Sequence, residues 1–187
     1  AAALAPNTPT IDVDIMGEAY LRWTGHDTVV TAGRELVTTP FAAPSDAFMI
    51  PVAYTGYSLV NKSLPGLTVN AHHLLSIKAR ESQSFVDTGR YTLSRLGGTP
   101  RDTAGTSILG LTYEWQRLTL QAWYYAFPDI FNLKWIEATH TFEVGAHKPY
   151  ISGHYGKESA MGDRLLGNVD SSLSGLKVGV KAHDADL

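Results

Sequence analysis

The chain contains no cysteine. This absence excludes disulfide bonds, zinc sites built on thiolates and thiol nucleophiles. Positive charge is also scarce, because 15 Lys and Arg stand against 18 Asp and Glu and leave a net charge of −3. Nucleic-acid binding depends on an excess of clustered Lys and Arg. The composition therefore gives no reason to expect nucleic acid as a partner.

Long apolar runs are absent as well. No stretch reaches the roughly 18 consecutive apolar residues that identify a transmembrane helix. Residues 1–10, AAALAPNTPT, have no charged region followed by an apolar core, so they are not an intact signal peptide. Neither absence excludes a transmembrane β-strand, which needs only about 9 to 11 residues with one apolar face.

Catalytic motifs are not found either. His72 and His73 are adjacent, so on a strand they point to opposite faces, and no HExxH motif occurs. The stretch GKES at residues 156–159 lacks the glycine spacing of a phosphate-binding loop. Asp12 and Asp14 share one face, but carboxylates exposed to water are far commoner than catalytic pairs. We predict no enzymatic activity, no cofactor and no bound metal.

What the chain does contain is alternation of apolar and polar residues with a period of two. This pattern is typical of β-strands whose two faces meet different surroundings. The alternating segments are residues 11–23, 67–80, 108–115, 118–127, 148–155 and 175–182. Weaker alternation is found in residues 28–36, 50–61 and 131–143, and in the last of these a β-bulge near Trp135 would account for a change of phase. The total is about nine strands.

Two classes of protein fit this pattern. Strands of soluble β-sandwiches also alternate, but they average about 5 to 6 residues, and several segments here approach twice that length. The connections alternate between short (residues 24–27, 62–66, 116–117 and 144–148) and long (residues 37–49, 81–105 and 158–172), except that the connection at residues 126–130 is of intermediate length. That order gathers the long loops at one end, as in outer-membrane barrels. We predict an all-β, antiparallel, up-and-down transmembrane β-barrel.

A soluble β-sandwich that binds a carbohydrate or peptide is the alternative. It predicts that Leu118, Leu120 and Tyr124 are buried against a second sheet. A transmembrane barrel instead predicts that these side chains lie on an external apolar band, with Thr119 and Gln121 on the polar face. The two classes are therefore separated by the burial of one strand.

Specific motifs resemble one known family. In residues 31–57, a strand ending in Gly-Arg-Glu-Leu leads to Thr-Pro, a polar loop, and Met-Ile-Pro at the start of the next strand. This order resembles the OprD-type outer-membrane porins, and residues 64–85 and 118–144 are similar to later hairpins of the same family. The residues that carry the first likeness are Gly33, Arg34, Glu35, Leu36, Thr39, Pro40, Asp46, Met49 and Pro51.

The resemblance implies an antiparallel barrel of 18 strands, an even number as in other bacterial barrels. It implies a bacterial outer-membrane channel, surrounded by lipid, through which small hydrophilic solutes diffuse passively. Basic lumenal side chains would guide anionic or zwitterionic solutes, carboxylates among them. Because a barrel must close and only about nine strands are counted, we expect residues 1–187 to be part of a single barrel domain that is incomplete at both ends. A homotrimer and a barrel that acts as a scaffold for partner proteins remain open alternatives.

The polar faces of the strands provide candidates for lining the pore. Opposed cations and carboxylates would create a transverse field that selects solutes by charge, although side chains near a mouth are often merely solvated. The candidates are Arg22, Lys78, Arg80, Lys148, Lys177, Lys181, His72, His154, Asp12, Asp14, Glu18 and Glu114.

Residues 37–49 are rich in proline and small side chains. This loop could fold inward as a constriction or remain an ordinary external loop, since functional residues concentrate in loops. The candidates for a constriction are Thr39, Pro40, Asp46, Met49 and Pro51.

An aromatic cluster ends the strand at residues 118–127. Tyr124 falls on the apolar face and belongs to an interfacial girdle in a barrel, with its ring in lipid and its hydroxyl near the headgroups. Trp123 and Tyr125 fall on the opposite face. These two rings are therefore expected to narrow the pore near its mouth.

Overall fold

A computed structural model describes residues 15–44, 51–80, 82–145, 147–182 and 185–186. The strands of this part form one antiparallel sheet in the order β1-β2-β3-β4-β6-β7-β8-β9-β10-β11, with β5 also paired to β4. The elements are β1 (Ala19–Gly25), β2 (Thr28–Glu35), β3 (Ala53–Leu64), β4 (Leu67–Lys78), β5 (Val86–Asp87), α1 (Thr88–Arg95), β6 (Thr106–Trp115), β7 (Leu118–Phe127), β8 (Phe131–Thr141), β9 (His147–Ala160), β10 (Asp170–Ala182) and β11 (Ala185–Asp186).

The predicted all-β, up-and-down topology is confirmed. Each long strand pairs with its neighbour along the chain, and even the three weakly alternating segments form strands, as β2, β3 and β8. The first strand differs from the prediction, because β1 begins only at Ala19 and residues 11–14 lie outside the described residues. Within the described ranges, no helix is long and apolar enough to cross a membrane.

The two ends of the sheet differ in the length of their connections, as predicted. Tight turns join the strands at one end, at residues 26–27, 65–66 and 116–117. His26 and Asp27 both adopt positive φ, the backbone shape that suits a two-residue hairpin turn. The long connections, residues 36–52, 79–105 and 161–169, all lie at the opposite end.

Helix α1 was not predicted from the sequence. It lies within the long connection between β4 and β6, and the side chain of Asp87 caps it by accepting a hydrogen bond from the backbone N–H of Arg90 at 3.0 Å. Thr88 Oγ1 donates to the carbonyl of Leu74 at 3.1 Å, and Leu93 packs against Ile130. At eight residues, the helix is too short for a clear period in the sequence, and these tertiary contacts stabilise it.

The predicted bulge near Trp135 is wrong. The register of β8 runs without a break from Phe131 to His140 against β7 and from Phe131 to Thr141 against β9. Leu133 and Trp135 lie on the inner face, where they pack against other residues rather than lipid, so no change of phase is needed. A register shift is found instead between β3 and β4, at Thr55/Gly56, and a second lies near the turn of the same hairpin.

The outer face of the sheet is an exposed apolar band. Leu120 and Tyr124 are 40% and 37% exposed, Leu118 is partly buried, and no second sheet covers these three side chains in the described part of the chain. The soluble sandwich predicted their burial, so that alternative is excluded. The band consists of Leu21, Trp23, Leu59, Leu109, Leu111, Tyr113, Leu120, Tyr124, Ile136, Ile151, Tyr155, Leu176 and Val178.

Candidate functional site: the inner face of the sheet

The inner face can be followed from strand to strand, because residues paired across an antiparallel sheet share a face. One such row carries both polar and apolar side chains. It runs through Arg22, Thr31, Ser58, His72, Ile108, Tyr125, Leu133 and Glu158. Most of these side chains are wholly or partly buried, in contrast to the exposed apolar residues of the outer face.

Residues 36–44, which we call the inner segment, cross this face. Val37 is buried in a cluster with wall residues of β4, β6 and β7. Further along, the ring of Phe41 meets the rings of Tyr125 and Trp135 edge-on, with centroids 5.5 and 5.1 Å apart. Backbone hydrogen bonds between Thr39 and Ala42 close a tight turn within the segment at this point. The loop therefore packs against the wall over its described length.

The constriction candidates are placed as follows. Thr39 and Pro40 belong to the inner segment and lie beside Trp123, Trp135 and Glu137 of the wall. Pro51 lies just before β3. The remaining candidates, Asp46 and Met49, lie outside the described residues.

The two inward rings of the aromatic cluster have a partner within the chain. Trp123 and Tyr125 are only 7% and 2% exposed, and they stack with ring centroids 6.2 Å apart. Phe41 of the inner segment covers Tyr125. The inner segment of the same chain therefore packs against the ring of Tyr125.

A buried hydrogen-bond chain anchors the start of the inner segment. Ser58 Oγ donates to Glu35 Oε1 at 2.5 Å, and it lies 2.7 Å from His72 Nδ1. A hydroxyl that donates to the carboxylate accepts from the imidazole, so the proton of His72 lies on Nδ1 in this arrangement. Glu35 is the last residue of β2, immediately before the inner segment. The chain of bonds therefore fixes the point at which the backbone leaves the wall.

We expect Ser58→Ala to lower the free energy of unfolding by about 1–3 kcal/mol, because Glu35 and His72 would both lose a buried partner. Equilibrium unfolding by urea in detergent micelles measures the change. The matched control is Ser107→Ala, since Ser107 Oγ lies 3.0 Å from His73 Nδ1 in an exposed serine–histidine pair. An equal loss in the two variants would contradict the anchoring role.

A second polar cluster occupies the inner face of β8 and β9. Thr139 Oγ1 donates to Ser152 Oγ at 2.9 Å, and Ser152 Oγ donates to Glu137 Oε1 at 2.8 Å. His154 stacks on Trp135 with centroids 4.7 Å apart. Hydroxyl, carboxylate and imidazole groups thus line this part of the wall.

Several predicted pore residues share this inner face. By their strand register, Arg22, Glu114, Lys148, His154 and Lys177 lie on it, and Lys177 Nζ sits 5.3 Å from the ring centroid of Tyr150. His72 lies there too but is largely buried within the hydrogen-bond chain.

Other predicted pore residues lie elsewhere. Lys78 does not lie on the inner face, because a register shift between Leu74 and Ser76 changes which residues of β4 point inward. After the shift, Ile77 pairs with the inner residue Tyr54, and Lys78 pairs with Ala53. In the sequence only His73 and Leu74 depart from the alternation of residues 67–80, and the prediction continued the same phase beyond them. Glu18 and Arg80 are exposed beyond the ends of β1 and β4. Asp12, Asp14 and the side chain of Lys181 lie outside the described part, although the backbone of Lys181 pairs with Lys148.

A cavity of about 290 Å³ lies between the inner segment, α1 and the wall. Its lining is mostly apolar and aromatic, with threonine and tyrosine hydroxyls and one carboxylate. The lining includes Phe41, Tyr54, Ile77, Tyr91, Tyr125 and Glu158. Sequence reasoning missed Tyr54 and Tyr91, because β3 alternates weakly and α1 was expected to be a loop. Among the described residues, no group of three or more His, Asp or Glu is arranged to hold a metal ion.

An ion pair braces the connection that carries α1. Arg90 Nε lies 2.5 Å from Asp102 Oδ1, and this hydrogen bond holds the pKa of Asp102 below its ordinary value of 3.8. A carboxyl with a lowered pKa stabilises the folded form at pH values above its ordinary pKa, and the contribution is lost as the pH falls through the folded pKa. Both side chains are exposed, so the effect is local and screened by salt.

We therefore expect Asp102→Asn to speed amide hydrogen exchange in residues 88–105 at neutral pH without changing global unfolding. The difference from the unmodified protein should vanish well below pH 3.8, where Asp102 is protonated in both states. Hydrogen exchange measured by mass spectrometry at the two pH values checks this. A difference that persists in acid would show that the ion pair is not its cause.

Comparison with known proteins agrees with this architecture. A family model described as outer membrane porin, OprD family, matches residues 16–187. No curated protein sequence matches the chain.

Solved porins from Pseudomonas aeruginosa are similar in fold. The outer membrane protein OpdK has a TM-score of 0.76 at 18% identity, with 88% of this chain and 44% of that chain covered. OccK2 (OpdF) in complex with glucuronate has a TM-score of 0.76 at 16% identity, with 87% of this chain and 44% of that chain covered. OccD3 (OpdP) has a TM-score of 0.77 at 21% identity, with 88% of this chain and 40% of that chain covered. The chain thus spans less than half the length of these proteins.

The family match extends over most of the chain, and the sheet has the two faces that such a wall requires: an apolar band outside and a partly polar face inside. The chain belongs to the OprD family of bacterial outer-membrane porins.

Proposed function

We propose that the protein is a channel for the passive diffusion of small hydrophilic solutes, and that solutes are selected where the inner segment narrows the lumen. The observation that carries this proposal is the packing of Val37 and Phe41 against the inner wall. The sheet would be one sector of a closed wall, because exposed strand edges leave backbone groups unpaired in lipid.

A single cross-strand row supports selection by charge. Glu114 at one end pairs with Thr119, and the row continues through Thr139 and Ser152 to Lys177 at the other end. The carboxylate and the ammonium are separated by four strand spacings, or roughly 19 Å along the wall at about 4.8 Å each. Because a barrel wall curves, these opposite charges would create a field across the lumen.

The basic end of this row is reinforced. Lys148 lies four residues from Ser152 along β9, on the same face as Lys177, and its backbone pairs with that of Lys181. We propose that this basic end attracts carboxylate-bearing solutes, whether anionic or zwitterionic. Two similar structures are complexes with carboxylate-bearing molecules, OpdK with vanillate and OccK2 with glucuronate, which supports this class of solute.

Reversal potentials of the full-length protein in planar bilayers test the proposal. We expect the unmodified channel to favour small carboxylates over cations of similar size, and Lys148→Gln/Lys177→Gln to bring the selectivity ratio towards one. The matched control, Lys148→Arg/Lys177→Arg, keeps both charges and should keep the preference. A ratio near one in the unmodified channel, or an unchanged ratio in the glutamine variant, would refute guidance by these residues.

A further inference from the structure

Two lysines face outward at the edge of the apolar band that is nearer the long loops. Lys134 of β8 and Lys157 of β9 are directly paired, and Tyr124 of β7 is the other cross-strand partner of Lys134. Tyr124 is exposed on the outer face, so all three side chains lie on that face. The described sheet continues on both sides of this pair, which sets the lysines within the outer wall rather than at a free edge.

Their height relative to the band is defined by the strands. Ile136 and Tyr155 are paired and exposed, and they belong to the apolar band. Lys134 and Lys157 lie two positions beyond them, or about 7 Å at the usual rise per strand residue, towards the end that bears the long loops. In outer-membrane barrels the long loops face the cell exterior. The lysines therefore lie where acyl chains give way to headgroups in the outer leaflet.

The local charge favours an anion. Like charges directly opposite each other in a sheet repel. Lys157 Nζ lies 2.5 Å from Asp170 Oδ1, and both of these side chains are exposed. Among the described residues, Lys134 makes no salt bridge with a carboxylate. The cluster of Lys134, Lys157 and Asp170 thus keeps one net positive charge at the lipid interface.

We propose that Lys134 and Lys157, flanked by Tyr124 and Tyr155, bind the phosphorylated sugar headgroup of lipid A in the outer leaflet. A lysine ammonium is a point charge suited to phosphate. The apolar surface at Ile136 and Tyr155 directly below would contact the acyl chains of the same molecule. A lipid that combines phosphate and acyl chains matches both features, and the site is independent of which solute the lumen conducts.

Binding of purified bis-phosphorylated lipid A to the full-length protein in detergent, followed by native mass spectrometry, tests this site. A basic side chain at an anionic membrane surface typically contributes roughly fivefold in affinity, so Lys134→Gln/Lys157→Gln should weaken binding about 25-fold. The charge-matched control is Lys62→Gln/Arg117→Gln, near the turns at the opposite end of the sheet. It should bind as the unmodified protein does. Asp170→Asn removes the competing carboxylate and should tighten binding, a gain that misfolding cannot imitate.

Three results would overturn the proposal. An equal loss in the control variant would indicate non-specific attraction. Equal binding of dephosphorylated lipid A by the unmodified protein would show that phosphate is not recognised. A change in oligomeric state, with lipid affinity unaffected in Lys134→Gln/Lys157→Gln, would identify this face as a contact between protein subunits.

Discussion

Replacing Trp123 by alanine should lower the free energy of unfolding by about 3–5 kcal/mol, the usual cost of truncating a buried tryptophan. Trp123 is 7% exposed, stacks with Tyr125 and belongs to the cluster that holds Val37 of the inner segment. It also covers Gly110 across the strand pair, where a larger side chain would meet its ring. Removal of the indole therefore leaves a void beneath the inner segment. Urea unfolding in micelles, monitored by circular dichroism, measures the loss.

The control for this variant is Trp115→Ala. Trp115 is 56% exposed on the outer face at the end of β6, so its removal leaves no closed cavity. We expect a clearly smaller loss of stability. If Trp123→Ala cost no more than Trp115→Ala, the inner cluster would not be a packed core, and the inner segment would lack the support assigned to it.

Gly56→Ala should be the second severe substitution. At this register shift a Cβ would meet the carbonyl oxygen of His73 well inside the 3.0 Å that real Cβ atoms keep. A backbone carbonyl cannot change rotamer to relieve the contact as a flexible side chain can, so the β3–β4 pairing must shift. Overpacking of this kind costs typically about 1–3 kcal/mol and occasionally more. The loss should be visible as a lower urea midpoint.

Gly153→Ala provides a matched control in β9. Nothing lies within 4 Å of a Cβ built at Gly153, although it too is in a paired strand. We expect a change within about 0.5 kcal/mol, as for surface substitutions that make no new contact. Equal destabilisation by the two substitutions would mean that loss of glycine flexibility, and not the close approach at the bulge, determines the effect.

The strands and their faces could be predicted because a membrane wall imposes a simple rule on each residue. Leu120 and Tyr124 alternate with Thr119 and Gln121, and the structure sets the first pair on the exposed apolar band. Loop lengths predicted which end of the sheet bears the long loops for a related reason. A tight hairpin such as that at His26 and Asp27 is determined by a few neighbouring residues. Local rules of this kind can be read from one sequence.

What could not be predicted depends on contacts between distant residues. The period of two assigned Lys78 to the inner face, but the register shift beside Leu74 reverses the phase, and a bulge has no fixed signature in sequence. The chain Glu35–Ser58–His72 joins three strands, with Ser58 in a weakly alternating segment. The inward fold of residues 36–44 depends on Phe41 meeting Trp135 almost one hundred positions later. The sequence favoured no outcome for that loop.

In a barrel wall, one face of this sheet meets water and the other meets lipid. The chain contains no cysteine, so single cysteines introduced along β7 report their own surroundings. In liposomes containing the full-length protein, a charged, water-soluble methanethiosulfonate reagent should modify Thr119→Cys and Gln121→Cys rapidly. It should leave Leu120→Cys and Ala122→Cys largely unmodified, because successive strand residues point to opposite faces. Uniform modification of all four positions, or the reverse alternation, would show that the two faces of β7 do not meet water and lipid in this way.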